Sequence, residues 1–229
     1  MRRSATLSTP LLLVAHGTRD PAGPLVVEQL ADAVSARLRV SVHVAYVDVI
    51  GPTVEEALRG IDGPVIALPA FLAAGYHVRI DLPEQIAATG REDVTTCAPL
   101  GPDPQIAEAM LQRLVAAGWQ PGQRVLFAAA GSSDERALGD VRTAARQLGR
   151  RCGQWLSPSH VTAAQPLIEQ ICRPGDFVAP YLLAPGLFHR RLAALPVAGV
   201  AEPIGAHPRV LELIARRYLA AARDDVSAA

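Results

Sequence analysis

The sequence contains no lysine and no asparagine. A Schiff-base lysine, a phosphate-loop lysine and an asparagine-assisted triad are therefore excluded. Every permanent cation is an arginine, a side chain suited to paired hydrogen bonds with carboxylates. Charge of one sign is not in excess either: 22 basic and 22 acidic residues leave a net charge of zero. Nothing in that balance calls for nucleic acid or an anionic membrane. Cys97, Cys152 and Cys172 are far apart in the chain and form no CxxC pair. They argue against a disulfide framework and a zinc ribbon, and they suit a reducing compartment. No apolar run reaches the length of a membrane span. The start, Met1-Arg2-Arg3, leads into polar residues and a short strand-like stretch rather than a signal peptide, so the expected address is cytoplasmic.

What is present is alternation. "LLLVAH" (11–16) reads as a buried strand, and residues 24–38 carry apolar side chains at helical spacing. Strand patterns at 41–49, 64–72 and 93–100 alternate with helical ones at 52–61, 80–88 and 104–118. The pattern then restarts, with a strand at 123–131 and a helix at 134–149. A further helix is expected at 161–171, a strand at 176–183 and a closing helix at 207–222. Such alternation predicts parallel sheets with helices on both faces.

The restart is a repeat. "VAHGTRD" (14–20) answers to "AAAGSSD" (128–134), "LPAFLAAGYHVR" (68–79) to "APYLLAPGLFHR" (179–190), and "LGPDPQIAEAM" (100–110) to "IGAHPRVLELI" (204–214). Three anchors in one order point to two similar βα-alternating lobes, residues 9–118 and 121–225, each with a parallel four-stranded sheet. The Gly/Pro-rich "GWQPGQ" (118–123) joins them. Ligands of such folds bind at the carboxyl ends of the strands, here in a cleft between the lobes.

Three chemically capable residues fall at those ends. His16 closes the first strand, Asp48 the second, and His77 follows the third after the loop "FLAAGY". Two imidazoles and a carboxylate suit a borderline divalent metal such as Fe, Co, Ni or Zn. Each residue alone has an ordinary reading: a hydrogen-bonded histidine at a strand end, or an aspartate capping the helix at "GPTVEEAL". Only their coincidence at one sheet edge points to a site. Asp81, four residues after His77, reads first as the N-cap of "LPEQI" and second as support for His77.

These segments carry a resemblance. "LLVAHGTRDP" and "LPAFLAAGYHVRIDLPEQI" (68–86) resemble the two histidine motifs of the sirohydrochlorin chelatase family, the class II tetrapyrrole chelatases of siroheme and cobalamin synthesis. "AYVDVIGPTVEEAL" (45–58) is similar to the segment between them, where the family usually has glutamate and this chain has Asp48. The resemblance implies a chelatase-like fold in tandem two-half form. It also implies ATP-independent insertion of a divalent metal into sirohydrochlorin, Fe2+ first, Co2+ or Ni2+ as alternatives, with no organic cofactor. It makes His16, His77 and Asp48 the catalytic and metal-handling residues. Arg19, Arg79 and Arg190 are then candidates for the substrate's acid groups. Neutral imidazole suits the chemistry, because it can accept a pyrrole proton or hold a metal that must later leave.

The second half departs from this pattern. Ala130 stands at the position of His16 and Phe188 at that of His77, with His189 one place later, and 153–168 contains no carboxylate. The second lobe is expected to be a wall for the macrocycle, with His189 a secondary candidate. His43, His160 and His207 lie in a strand or beside helix starts and are weaker ones. Two rival readings remain open at this point. One is a metal carrier or storage module with the same ligands. The other is a two-lobed small-molecule binder in which "GSSD" (131–134) holds an anion at a helix N-terminus.

Overall fold

The structure, a computed structural model, describes residues 9–228. Its first half contains β1 (Leu11–Ala15), α1 (Ala22–Leu38), β2 (Val42–Tyr46), α2 (Val54–Arg59), β3 (Val65–Pro69), α3 (Leu82–Ala88), β4 (Val94–Thr96) and α4 (Pro104–Ala116). The second contains β5 (Val125–Ala129), α5 (Glu135–Cys152), β6 (Pro158–His160), α6 (Ile168–Ile171), β7 (Phe177–Tyr181), α7 (Leu187–Ala193), β8 (Gly199–Val200) and α8 (Pro208–Ala228). All strand pairs are parallel, and the sheets have the same order, β2-β1-β3-β4 and β6-β5-β7-β8.

The central strands are apolar at every position because both faces of each sheet are covered. Alternate residues of β1 serve different cores. Leu11, Leu13 and Ala15 join one that spans both halves, while Leu12 and Val14 join a smaller one under α2 and α3. Strand β5 divides in the same way: Val125, Phe127 and Ala129 face the shared core, and Leu126 and Ala128 face α6 and α7. Full burial of each such leucine stabilises by about 1.5–3 kcal/mol.

The shared core is built from α1, α4, α5 and α8, and two of these have crossed over. Helix α4 closes the first half of the sequence but packs on β7 and α5. Helix α8 closes the second half but packs on β3, β4 and α1. Polar contacts hold the exchange. Asp103, which caps α4 by accepting from the Gln105 amide at 2.9 Å, also accepts from Arg216 of α8 at 2.7 Å. The Arg113 guanidinium of α4 donates to the Ile204 carbonyl at 3.2 Å. The two sequence repeats are thus interlocked in space.

Three local expectations needed revision. The helix expected at 161–171 is only α6, because 158–160 form the edge strand β6 and the segment between is a turn. Its Pro166 carbonyl accepts from the His160 amide at 3.0 Å. The strand β8 and the helix α7 had no clear sequence signal, the first being two residues long. The stretch 80–88 is helical, but it is entered through a π-helical turn at His77–Asp81.

Candidate functional site

Strand β1 emerges from the shared core at His16, and a tight crossing of backbones fixes its exit. Gly17 has φ +96°, and a Cβ there would lie 2.1 Å from the Asp48 carbonyl oxygen. Only glycine allows the β1 and β2 exits to approach so closely. The amide of Asp48 donates to the His16 carbonyl at 3.0 Å, so the end of β2 is clipped to the residue carrying the imidazole. His77 reaches the same place from the loop after β3.

The imidazoles of His16 and His77 meet edge to face, with ring centroids 4.6 Å apart and planes at 82°. Two ligands of one ion, each at about 2.1 Å, have their nitrogens no more than about 4.2 Å apart, a separation of the same order as that between these centroids. Phe71 packs against both, 6.3 Å from His77 and 6.5 Å from His16, and exposed Tyr76 lies 5.9 Å from His77.

Each ring has an oxygen acceptor at Nδ1. For His16 it is the Gly17 carbonyl at 2.9 Å, and for His77 the Asp81 carboxylate at 2.8 Å. Asp81 also accepts from the Gln85 side-chain amide at 2.7 Å. Burial alone would raise the Asp81 pKa. The hydrogen bonds from His77 and Gln85 and the nearby imidazoles outweigh it, so the carboxyl titrates below its ordinary value. The N-cap expectation for Asp81 is therefore overturned. Its backbone is helical, it makes no capping hydrogen bond, and both carboxylate oxygens are engaged by side chains.

Asp48 does not join the pair. Its carboxylate accepts from the Val49 amide at 2.7 Å, in a turn where Val49 has φ +71°. Among the described residues, no three histidine, cysteine or acidic side chains are grouped to hold a metal ion. Of the three residues expected as ligands, the structure brings together only His16 and His77, with Asp81 behind His77. The short Asp48 carboxylate stays with its own backbone.

The pair opens on a cleft between the lobes. One compartment of about 620 Å3 is lined by His16, His77 and Phe71 on one side and by Gly131, Asp134 and Phe188 on the other. An adjoining compartment of about 300 Å3 shares His16 and Phe71 and runs inward between Val27, Tyr46, Val141 and Leu182. Its walls are largely aliphatic and aromatic, as expected for a ligand with a large apolar surface. The second lobe contributes no imidazole. Ala130 and Phe188 line the cleft where their counterparts in the first lobe are histidines. His189 faces away, with Nε2 3.3 Å from the Ala201 carbonyl oxygen. His160 is buried, and that burial lowers its pKa, while the Nδ1 of His207 accepts from the Arg209 amide at 3.2 Å.

None of the three candidate arginines lines either compartment. Arg79 donates to the Ala74 carbonyl and closes its own loop. Arg190 pairs across the lobes with Asp20 and holds that carboxyl below its usual range. Arg19 is exposed and has no protein partner among the described residues. "GSSD" is an ordinary cap, since Asp134 accepts from the Arg136 amide at 2.8 Å at the start of α5. The anion reading thereby loses its motif.

Sequence reasoning missed Phe71, Tyr76 and Gln85. A signal for Gln85 was present: His77, Asp81 and Gln85 recur every four residues, a helical stripe. The aromatic pair carried no spacing signal, because the loop conformation alone brings them to the histidines.

Comparison with known proteins adds to this geometry. The sequence model of the CbiX family matches the chain twice, over residues 10–117 and 124–221. The sirohydrochlorin cobaltochelatase of Methanosarcina acetivorans is 31% identical over 120 residues, which is 45% of this chain and 92% of that protein. A relative of about half the length thus aligns almost whole with one part of the chain. The solved structure of SirB from Bacillus subtilis, determined with Fe3+, superposes with a TM-score of 0.80 at 22% identity, covering 96% of this chain and 98% of that one. The structure of CbiX, described as the terminal enzyme of siroheme biosynthesis in denitrifying bacteria, superposes with a TM-score of 0.72 at 25% identity, covering 93% and 99%.

Proposed function

Since the chain belongs to the CbiX family, we propose that it is a chelatase that inserts a divalent metal ion into sirohydrochlorin, with metal and tetrapyrrole both as substrates. The observation that carries this reading is the His16–His77 pair, 4.6 Å between centroids, opening into an apolar interlobe cleft. The cleft suits the face of a flat macrocycle, and the pair suits an ion that must be held and then released. Two pyrrole N–H protons leave as one dication enters, so the ring nitrogens gain a metal and two protons pass to solvent. An imidazole Nε2 can hold the incoming ion or accept one of those protons.

The second lobe supplies the facing wall, with Ala130 and Phe188 in place of the histidines. Arg19 remains the candidate for a substrate carboxylate, because Arg79 and Arg190 are engaged elsewhere. The cobaltochelatase relative favours Co2+, and the relative from siroheme synthesis favours Fe2+. We keep both metals. A carrier or storage protein is disfavoured, because a large apolar cleft beside the ligands serves no purpose in holding a bare ion.

The test is anaerobic mixing of the protein with sirohydrochlorin and, separately, Fe2+, Co2+ or Ni2+, following the pigment's absorbance. Metal-dependent conversion above the protein-free rate supports the reading and ranks the metals. No acceleration with any of them contradicts it.

A further inference from the structure

The histidine pair is held by a side-chain relay that leads from one ring to the strand end carrying the other. His77 and Asp81 bound the π-helical turn, which the Leu82 amide closes on the His77 carbonyl, and Gln85 lies one turn on in α3. Asp81 accepts from His77 on one carboxylate oxygen and from Gln85 on the other, at 2.8 and 2.7 Å. The same Gln85 nitrogen donates to the Val47 carbonyl at 3.0 Å. The Val47 amide in turn donates to the Ala15 carbonyl at 3.0 Å, one residue before His16. Among the described residues, no other side-chain hydrogen bond ties the segment 77–88 to the ends of β1 and β2.

We infer that Asp81 and Gln85 are positioning residues for metal capture: Asp81 fixes which nitrogen of His77 is free, and Gln85 fixes how far His77 stands from His16. This rests on the reading of the two histidines as the metal-handling pair. An ionised carboxylate only accepts, so the His77 nitrogen facing Asp81 carries the proton and Nε2 is left with its lone pair. The Gly17 carbonyl selects the same tautomer for His16. Both rings then offer the equivalent nitrogen to one ion. Gln85 has two N–H groups on one nitrogen, and the relay uses both, one on each side. An asparagine at 81 has a single acceptor oxygen and cannot satisfy His77 and Gln85 together. A methionine at 85 keeps the volume and loses both links.

The experiment compares wild type, Asp81→Asn and Gln85→Met by titration with Co2+ alone. The ring tautomer is read from imidazole 15N NMR shifts of the metal-free proteins, and thermal unfolding checks the fold. Wild type is expected to show His77 with the proton on Nδ1. Asp81→Asn is expected to weaken Co2+ binding by about 10- to 100-fold and to populate the Nε2–H tautomer. Gln85→Met is expected to weaken binding by about tenfold on the same basis while leaving the tautomer unchanged. At Asp81 a merely structural role would lower the unfolding temperature without moving the tautomer, and at Gln85 it would lower the unfolding temperature without weakening Co2+ binding. If Asp81→Asn does not fold, Gln85→Met decides. Either folded variant that binds Co2+ within about twofold of wild type, with the wild-type tautomer, overturns the assignment for that residue. Wild type that neither binds nor inserts Co2+, Fe2+ or Ni2+ removes the metal reading itself, and this inference with it.

Discussion

The rings of His16 and His77 stand 4.6 Å apart at the mouth of the interlobe cleft, although one residue directly follows a strand and the other begins a π-helical turn. Their meeting depends on the crossing of the β1 and β2 exits, where Gly17 passes against the Asp48 carbonyl. Gly17→Ala is therefore expected to destabilise the protein by at least about 2 kcal/mol, from positive-φ strain plus the backbone clash. Gly122→Ala is the control, since Gly122 has φ +95° but open space around its Cβ position. Denaturant unfolding should show the larger loss at Gly17. Equal losses would mean that the crossing is not tight.

The exchanged helices give a second expectation. A fragment of residues 9–118 retains α4 but lacks α8, which covers β3 and β4 in the full chain. It should form a dimer in which each copy's α4 takes the place of α8 on the other's sheet. Light scattering on the purified fragment checks this. A folded monomer at micromolar concentration would show that α4 can fold back on its own sheet.

The Arg190–Asp20 pair joins the lobes and sets a pH dependence. The hydrogen bond from Arg190 lowers the Asp20 pKa in the folded state. The stabilisation is therefore complete above the unfolded value of about 3.9 and is lost as pH falls through the lower folded value. Asp20→Asn should be less stable than wild type at neutral pH, and the two should converge as the solution is acidified below that value. A difference unchanged from neutral to strongly acidic pH would exclude the ion pair as its source.

Much of this was legible in the chain. Continuous apolar strands and helical spacing revealed both sheets, because a parallel sheet covered on both faces leaves no polar position in its central strands. The paired anchors at Gly17 and Gly131 disclosed the repeat, because both halves need the same close crossing: a Cβ at Gly131 would lie 1.8 Å from the Thr162 carbonyl oxygen. The histidine pair followed from strand ends sharing an edge. Asp48 was misplaced because an edge position does not determine where a short carboxylate turns, and the Val49 amide lies nearer. Arg79 and Arg190 were misplaced for a similar reason, since long side chains find carbonyl and carboxylate partners that no spacing rule encodes. The helix exchange was not legible at all, because an amphipathic pattern says that a helix has a buried face but not which sheet it meets.

On this reading the first lobe alone carries the metal chemistry. The direct measurement is the rate of Co2+ or Fe2+ insertion into sirohydrochlorin by folded His16→Ala, His77→Ala and His189→Ala variants. Loss of a positioned imidazole should cost about 10²- to 10⁴-fold at His16 and at His77. His189, turned towards the Ala201 carbonyl, should cost less than about tenfold. Equal, small effects at all three positions would contradict the assignment, and a large loss at His189 alone would move the active lobe to the other half.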